Sequence, residues 1–312
     1  MSQPINLAEK IEKNLPADLT ALVNDAVAIA GERKQRLYLV GGVVRDLLLA
    51  QASDVCDVDL VVEGDAVGLA AAFAEKTCGK LAAHLMFNTA KIELGKWSID
   101  IAMARTETYA RPGALPVVTA GTLQTDLFRR DFTVNAMAIS LNPDNYGELI
   151  DLYGGLKDLK NKSIRVLHDK SFSEDATRIW RAVRYEQRLG FRIEPATLSL
   201  LKRDLPLMKT VGGYRLRHEM ELVLKEKEPE KYLRRAAELG VLTALHPSLK
   251  ADDWLVSRFQ KASQSGEANP DTYLGLLLYR LNAEDLLQIT RYLRFSTRQT
   301  KIINEIRGMI LN

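Results

Sequence analysis

The chain is short of the residues from which metal and redox centres are built. Its 312 residues include four histidines and two cysteines. His84, His168, His218 and His246 are scattered, and the His168-Asp169 pair lacks the further ligands a zinc site needs. That argues against a zinc-dependent or histidine-based hydrolase. Cys56 and Cys78 provide no disulfide framework and suit a reducing compartment. Long apolar runs are missing as well: "DAVGLAAAFAEKTCG", at 65–79, is interrupted by charges and too short for a bilayer. The opening "MSQPINLAEKIEKNL" has neither an apolar core nor a cleavage site, so a cytoplasmic protein without a signal peptide or membrane partner is expected. Neither sign of charge dominates. With 43 basic and 40 acidic residues the net charge is +3, so any basic surface must come from local clustering. No fixed-period repeat or low-complexity tract is present.

What is present is a change of periodicity along the chain. Residues 6–31 have helical spacing, broken by Pro16 and closed by Gly31. "RLYLV" and "VDLVV" read as strands, "VVRDLLLA" and "AVGLAAAFAEKT" as helices, and "KLAAHLMF", "AKIEL" and "SIDIAMA" as three further strands. From "SEDATRIWRAVRYEQRLGF" onward every segment has helical spacing, with "QSGEANPD" (264–271) as an internal loop. The fold class is α+β: a mixed sheet with helices, followed by an all-helical region.

Four constellations carry chemistry. In "DVCDVDLVV", Asp57 and Asp59 sit two apart on a strand and therefore share a face. Neighbouring like charges raise each other's pKa unless a cation intervenes. The pair is either a solvated strand edge or a divalent-metal site, where two Mg²⁺ ions roughly 3.5–4 Å apart clamp an in-line phosphoryl displacement. Asp100 in "SIDIAMA" is the candidate third carboxylate, or a lone polar strand residue. Upstream, "LYLVGGVVRDLL" is either a plain strand–turn–helix corner or a phosphate cradle at Gly41 and Gly42, with Arg45 and Asp46 in support. In "RRDFTVNAMAI", Arg129, Arg130 and Asp131 run into an apolar segment read as helical. That places Asn135 on the face of Asp131, a grouping able to hold triphosphate oxygens and a ribose hydroxyl. In "SFSEDATRIWRAVRY", Ser171 to Glu174 reads as a capping box and Glu174 with Arg178 as an i,i+4 pair. Asp175, Arg178, Arg181 and Arg184 share roughly one face. An Asp/Arg pair accepts and donates hydrogen bonds in the pattern that fits cytosine and adenine and rejects guanine and uracil.

These motifs, in this order and spacing, resemble the class II tRNA nucleotidyltransferases: the CCA-adding enzymes and the bacterial poly(A) polymerases. The resemblance rests on "LVGGVVRD", "DVDLVVEGD", "RTETY", "RRDFTVNAMA", "DLYGGLKDL", "LHDKSFSEDATRIWRAVRYEQRLGF" and "LRRAAELGVLTALHP", and covers about residues 37–250. It implies a DNA-polymerase-beta-like nucleotidyltransferase head at 37–168 after an N-terminal helical segment, 1–36. A helical neck at 169–232 and a body with short tail at 233–312 would follow. It implies catalytic Mg²⁺ held by Asp57 and Asp59 with Asp100 nearby, and triphosphate at Gly41, Gly42 and Arg45. Ribose and phosphates would meet Arg130, Asp131 and Asn135. Asp175 and Arg178 would read the base, supported by Glu174, Arg181 and Arg184. ATP and CTP are the implied substrates and the acceptor stem and 3′ end of tRNA the implied partner. Basic residues on the helices, Arg215, Arg217, Arg234, Arg235, Arg291 and Arg294, are either its grip or simply solvated helix faces. The segment 105–126 looks like the complete flexible loop that CC-only enzymes have lost, so addition of adenosine is expected. The product is either the whole CCA or its terminal A alone, the latter with a separate CC-adding enzyme. A poly(A) polymerase and a non-catalytic RNA-binding relative are the rival readings.

Overall fold

The structure, a computed structural model, describes residues 5–50, 57–266 and 268–311. Cys56 lies outside the described residues. The chain divides into two compact units: one of Met1–Thr108, Pro116–Asn161 and Arg165–Leu167, the other of Tyr109–Leu115, Lys162–Ile164 and His168–Asn312.

The first unit begins with α1 (Ala8–Asn14) and α2 (Ala17–Glu32), separated at Pro16, which has no N–H to donate and starts the second helix. β1 (Arg36–Val40), α3 (Gly42–Leu48), β2 (Asp57–Glu63) and α4 (Ala66–Thr77) follow, then β3 (Lys80–His84), β4 (Thr89–Leu94) and β5 (Trp97–Met103). A hairpin of β6 (Arg105–Thr108) and β7 (Val117–Ala120) precedes α5 (Leu123–Phe128), β8 (Ala138–Ser140), β9 (Leu149–Ile150) and α6 (Gly155–Lys160). Seven strands form one sheet in the order β3-β4-β5-β2-β1-β8-β9, in which only the β2–β5 pair is parallel. β1 is paired on both edges, and Leu37 to Val40 are buried. α4 is capped by the Asp65 carboxylate, which accepts from the Gly68 amide at 2.9 Å, and packs on β3, β4 and β5.

Two local expectations are corrected here. "KLAAHLMF" is a strand only to His84; Leu85–Phe87 form a 3₁₀ turn that leaves Leu85 and Met86 exposed. "FTVNAMAI" is a 3₁₀ turn at Thr133–Asn135 running into β8, because its apolar residues fill the sheet layer instead of a helix face.

The second unit contains β10 (Ser163–Ile164) and β11 (Arg192–Ile193), a short parallel pair. Its helices are α7 (Ser171–Glu174), α8 (Thr177–Leu189), α9 (Pro195–Asp204), α10 (Gly213–Leu224), α11 (Pro229–Glu238), α12 (Val241–Leu245), α13 (Asp253–Gln264), α14 (Pro270–Leu278), α15 (Ala283–Tyr292) and α16 (Thr297–Leu311). Trp180, Phe172 and Phe259 are fully buried in it. The loop expected at 264–271 is shorter, since Gln264 ends α13 and Pro270 begins α14, where Asn269 accepts from the Thr272 amide; Glu267 lies outside the described residues. Ser171 does not cap a helix. α7 is a single turn ending at Asp175, one residue before the Ala176 N-cap of α8, and Asp175 Oδ1 accepts from the Thr177 amide at 3.1 Å and hydroxyl at 2.7 Å. Among the described residues no helix is long and apolar enough to cross a membrane.

Candidate active site

β2 alternates, with Asp57 and Asp59 exposed on one face and Val58, Leu60 and Val62 buried on the other. The parallel register sets Asp59 opposite Asp100 on β5, and Asp100 opposite Lys91 on β4. One row of the sheet thus carries two acids and a lysine, and Lys91 Nζ lies 3.6 Å from Asp100 Oδ2. Asp59 reaches solvent but is crowded by protein. Lost hydration raises its pKa above the ordinary carboxylate value, the charge of Arg130 opposes this, and Asp100 and Asp57 add to it. Asp100 is raised in the same way, by desolvation opposed by Lys91 and reinforced by Asp57. Among the described residues no lysine or arginine forms an ion pair with Asp57 or Asp59, although nearby acids are engaged. Among the described residues no group of three or more acidic, His or Cys side chains is gathered tightly enough to hold a metal. Two same-face carboxylates are by chemistry suited to an ion such as Mg²⁺ only where substrate phosphates and water complete its shell.

The glycine corner opens onto this row. Gly41 has φ +77°, a conformation that a side chain disfavours, and a Cβ there would lie 3.0 Å from Asp59 Oδ2 and 3.4 Å from Arg130 Nη1. The carboxylate of Asp59 and the guanidinium of Arg130 therefore both border the space that a side chain at Gly41 would fill. α3, which follows, has only seven residues. Arg45 was expected at a phosphate. It is instead 5% exposed, donating to Asn135 Oδ1 at 2.7 Å and to both oxygens of Asp46 at 2.8 and 3.0 Å. Asn135 in turn donates to Asp131 Oδ1 at 3.1 Å. Sequence reasoning therefore paired Asp131 with Asn135 correctly but through the wrong backbone element.

Asp126 was missed. Its carboxylate is fully buried, accepting from Arg129 at 3.1 and 2.6 Å on one oxygen and from Arg130 at 3.3 and 3.0 Å on the other. Burial alone would raise its pKa, but the charges and hydrogen bonds of Arg130 and Arg129 outweigh this and hold it below the ordinary range. The spacing of Asp126 to Arg129 and Arg130, i+3 and i+4, was the available signal. Glu107 is nearly buried and also accepts from Arg129, at 3.0 Å, and from Arg105 at 2.9 and 2.6 Å. No local spacing foretells that contact.

In the helical unit, Asp175 and Arg178 are joined by the Arg178 amide donating to the Asp175 carbonyl at 3.1 Å. The Asp175 carboxylate also accepts from Arg215 at 2.7 Å, and Arg178 donates to the Ser171 hydroxyl at 2.8 Å. Glu174 lies 3.5 Å from His168, whose pKa is lowered by burial. Arg181 and Arg184 converge on Glu219, each at 3.6 Å. Four of the six arginines expected to grip RNA already hold protein partners. Arg215 is on Asp175; Arg217 is on Glu221 and the Arg294 carbonyl; Arg234 is on Asp253; Arg235 is on buried Glu186 at 2.7 Å. Arg291 and Arg294 are exposed.

Comparison with known proteins gives a match over residues 37–165 to a family described as "Poly A polymerase head domain". A second match, over 190–253, is to one described as "Probable RNA and SrmB- binding site of polymerase A". An A-adding tRNA nucleotidyltransferase of Geobacter sulfurreducens is 42% identical, covering 77% of this chain and 27% of that protein. Another A-adding enzyme, of Aquifex aeolicus, is 50% identical over 61% of this chain and 23% of its own length. The chain thus spans about a quarter of each of these two relatives. The solved Thermotoga maritima CCA-adding enzyme complexed with tRNA superposes with a TM-score of 0.82 at 35% identity, covering 98% of this chain and 73% of that one.

Proposed function

The chain belongs to the family of tRNA nucleotidyltransferases and poly(A) polymerases, and we propose that it adds the terminal A, or the whole CCA, to the 3′ end of tRNA without a nucleic-acid template. The carrying observation is the Asp57–Asp59 pair: same-face carboxylates without an ion-pair partner among the described residues, of which Asp59 borders the corner of Gly41 and Arg130. The A-adding names of the Geobacter and Aquifex relatives favour addition of A alone.

The 3′-hydroxyl of tRNA attacks the α-phosphate of ATP and pyrophosphate leaves. Asp57 and Asp59 would hold Mg²⁺ together with the triphosphate; bound there, the ion neutralises phosphate charge and lowers the pKa of the attacking hydroxyl. Arg130 presents the edge that Asp126 leaves free, Nη1, to a phosphate oxygen. The bare Cα of Gly41 lets the triphosphate approach backbone N–H groups. Arg45 acts through Asn135, fixing Asp131 for the ribose, a supporting role in place of the phosphate contact expected from sequence. Asp175 accepts from the exocyclic amino group of the base and Arg178 donates to its ring nitrogen, each exchanging part of its present bonding to do so. Most of the catalysis is then positioning and charge neutralisation.

The test offers purified protein three tRNAs, ending before CCA, after C and after CC, with CTP and ATP supplied separately. Extension by one A of the tRNA ending in CC, with release of pyrophosphate, is expected. Long tails from ATP alone would show a poly(A) polymerase instead. Absence of pyrophosphate with every substrate would leave an RNA-binding relative.

A further inference from the structure

We propose that Asp126 is a positioning residue for nucleotide transfer: it grips one edge of Arg130 and so keeps that guanidinium near Asp59 without letting it close a direct ion pair on Asp57 or Asp59. The inference rests on the reading of that pair as the cation-binding carboxylates.

The geometry divides Arg130 into two edges. Nε and Nη2 are committed to Asp126 Oδ2 at 3.3 and 3.0 Å, and Nη1 is turned to the Gly41 corner that also borders Asp59 Oδ2. A bidentate grip on one edge fixes both the place and the plane of a guanidinium. The other oxygen of Asp126 engages Arg129, and Glu107 holds Arg129 from its far side together with Arg105. The knot therefore contains two nearly buried acids and three arginines, and the positive charge left over is directed at the site. Glu107 and Arg105 belong to β6, so the stem of the hairpin forms one wall of this knot.

Asp126 is what separates two outcomes. With it, Arg130 is available to a phosphate while Asp59 keeps its charge for a cation. Without it, an unanchored guanidinium beside an acid that has lost hydration would swing onto that acid and form the ion pair that is absent now. Arg130 would then compete with the metal for Asp59. A buried acid so far from exposure is usually read as stabilising the fold; here its second consequence is to keep the carboxylate pair open.

The probe is Mn²⁺ alone, its binding to the full chain read from loss of the free-ion electron paramagnetic resonance signal, so the readout does not depend on turnover. Asp126→Asn is expected to weaken Mn²⁺ binding at least about tenfold, the smallest effect a neighbouring guanidinium has on a carboxylate's proton affinity. Adding Arg130→Gln to that variant is expected to restore Mn²⁺ binding to the wild-type value, which a merely structural role of Asp126 would not do, while leaving KM for ATP raised. Asp126→Glu, which keeps the charge, should bind Mn²⁺ like wild type. Should Asp126→Asn fail to fold, Arg130→Gln alone serves: it should bind Mn²⁺ at least as tightly as wild type. Wild-type affinity in folded Asp126→Asn, a double variant as weak as the single one, or weakened binding in Arg130→Gln would overturn the role of Asp126. Undiminished Mn²⁺ binding by both Asp57→Ala and Asp59→Ala would instead overturn the cation reading beneath it.

Discussion

At position 59 a carboxylate reaches solvent but is crowded by protein and by two other acids, an arrangement that disfavours folding and, on the proposed reading, prepares a cation site. The folded state holds the Asp59 proton more tightly than the unfolded chain does, since its pKa is raised. Its contribution to stability therefore falls as pH rises from the ordinary carboxylate value through the raised one. Asp59→Asn should remove that slope and leave the metal-free protein at least as stable as wild type at pH 7, as urea melts between pH 4 and 7 will show. The same variant should lose activity by about a thousandfold or more, as when an electrostatic stabiliser of the transition state is deleted. Gly41→Ala belongs to this scale too. A methyl group would have to adopt φ +77° and sit 3.0 Å from Asp59 Oδ2, so a cost of about 1 kcal/mol in backbone conformation and a sharp rise in KM for ATP are expected. Unchanged KM in a folded Gly41→Ala protein would remove this corner from the nucleotide site.

Among the elements, the arginines separate by what they face. Arg235 on α11 carries the charge of an RNA contact, yet it is half-buried and its guanidinium closes on Glu186 of α8, itself bound by the Ile193 amide at 3.1 Å. Arg235→Ala would leave a buried carboxylate unpaired and should cost about 3 kcal/mol of stability. Arg291, at the end of α15, forms no ion pair among the described residues and should behave in the opposite way. Arg291→Ala should leave the melting temperature unchanged and reduce the salt dependence of tRNA binding by up to about one counterion. Urea titration and tRNA-binding isotherms at several salt concentrations decide both. Helical spacing marks where a basic side chain emerges but not whether an acid of another helix awaits it. That is why all six arginines looked alike in sequence.

At the scale of the molecule, the two units divide the labour of the proposed reaction. The sheet unit carries the carboxylates, the glycine corner and the Asp126 knot; the helical unit carries Asp175 and Arg178. The chain passes between them more than once, since Tyr109–Leu115 and Lys162–Ile164 group with the helical unit. The hairpin whose stem walls the Asp126 knot thus has its tip in the other unit, packed where Gly113 leaves no room for a side chain against the Thr210 carbonyl. Removing the tip, residues 109–115, while keeping both strands of the stem should spare Mn²⁺ binding but impair selection of ATP over UTP. Competition assays with the two nucleotides would show it, and unaltered selection would separate the hairpin from base choice.

The sequence alone determined whatever depends on near neighbours in the chain. Alternation in β2 puts Asp57 and Asp59 on one face, Pro16 divides the first two helices, and periodicity assigns α4 residue for residue. It also brought Asp131 to Asn135, although Asp131 precedes the extended Phe132 and the 3₁₀ turn that carries Asn135, so the closeness comes from four residues of chain and not from a shared helix face. Only the tertiary structure decided which charges cancel. Arg45 turned inward to Asn135 across 90 residues, Glu107 reached Arg129 across 22, and Asp57 and Asp59 were left without an ion-pair partner among the described residues. The physical reason is that burying a charge is costly unless a partner meets it in the same place, and which distant side chain arrives there is set by how the layers pack, not by any local pattern.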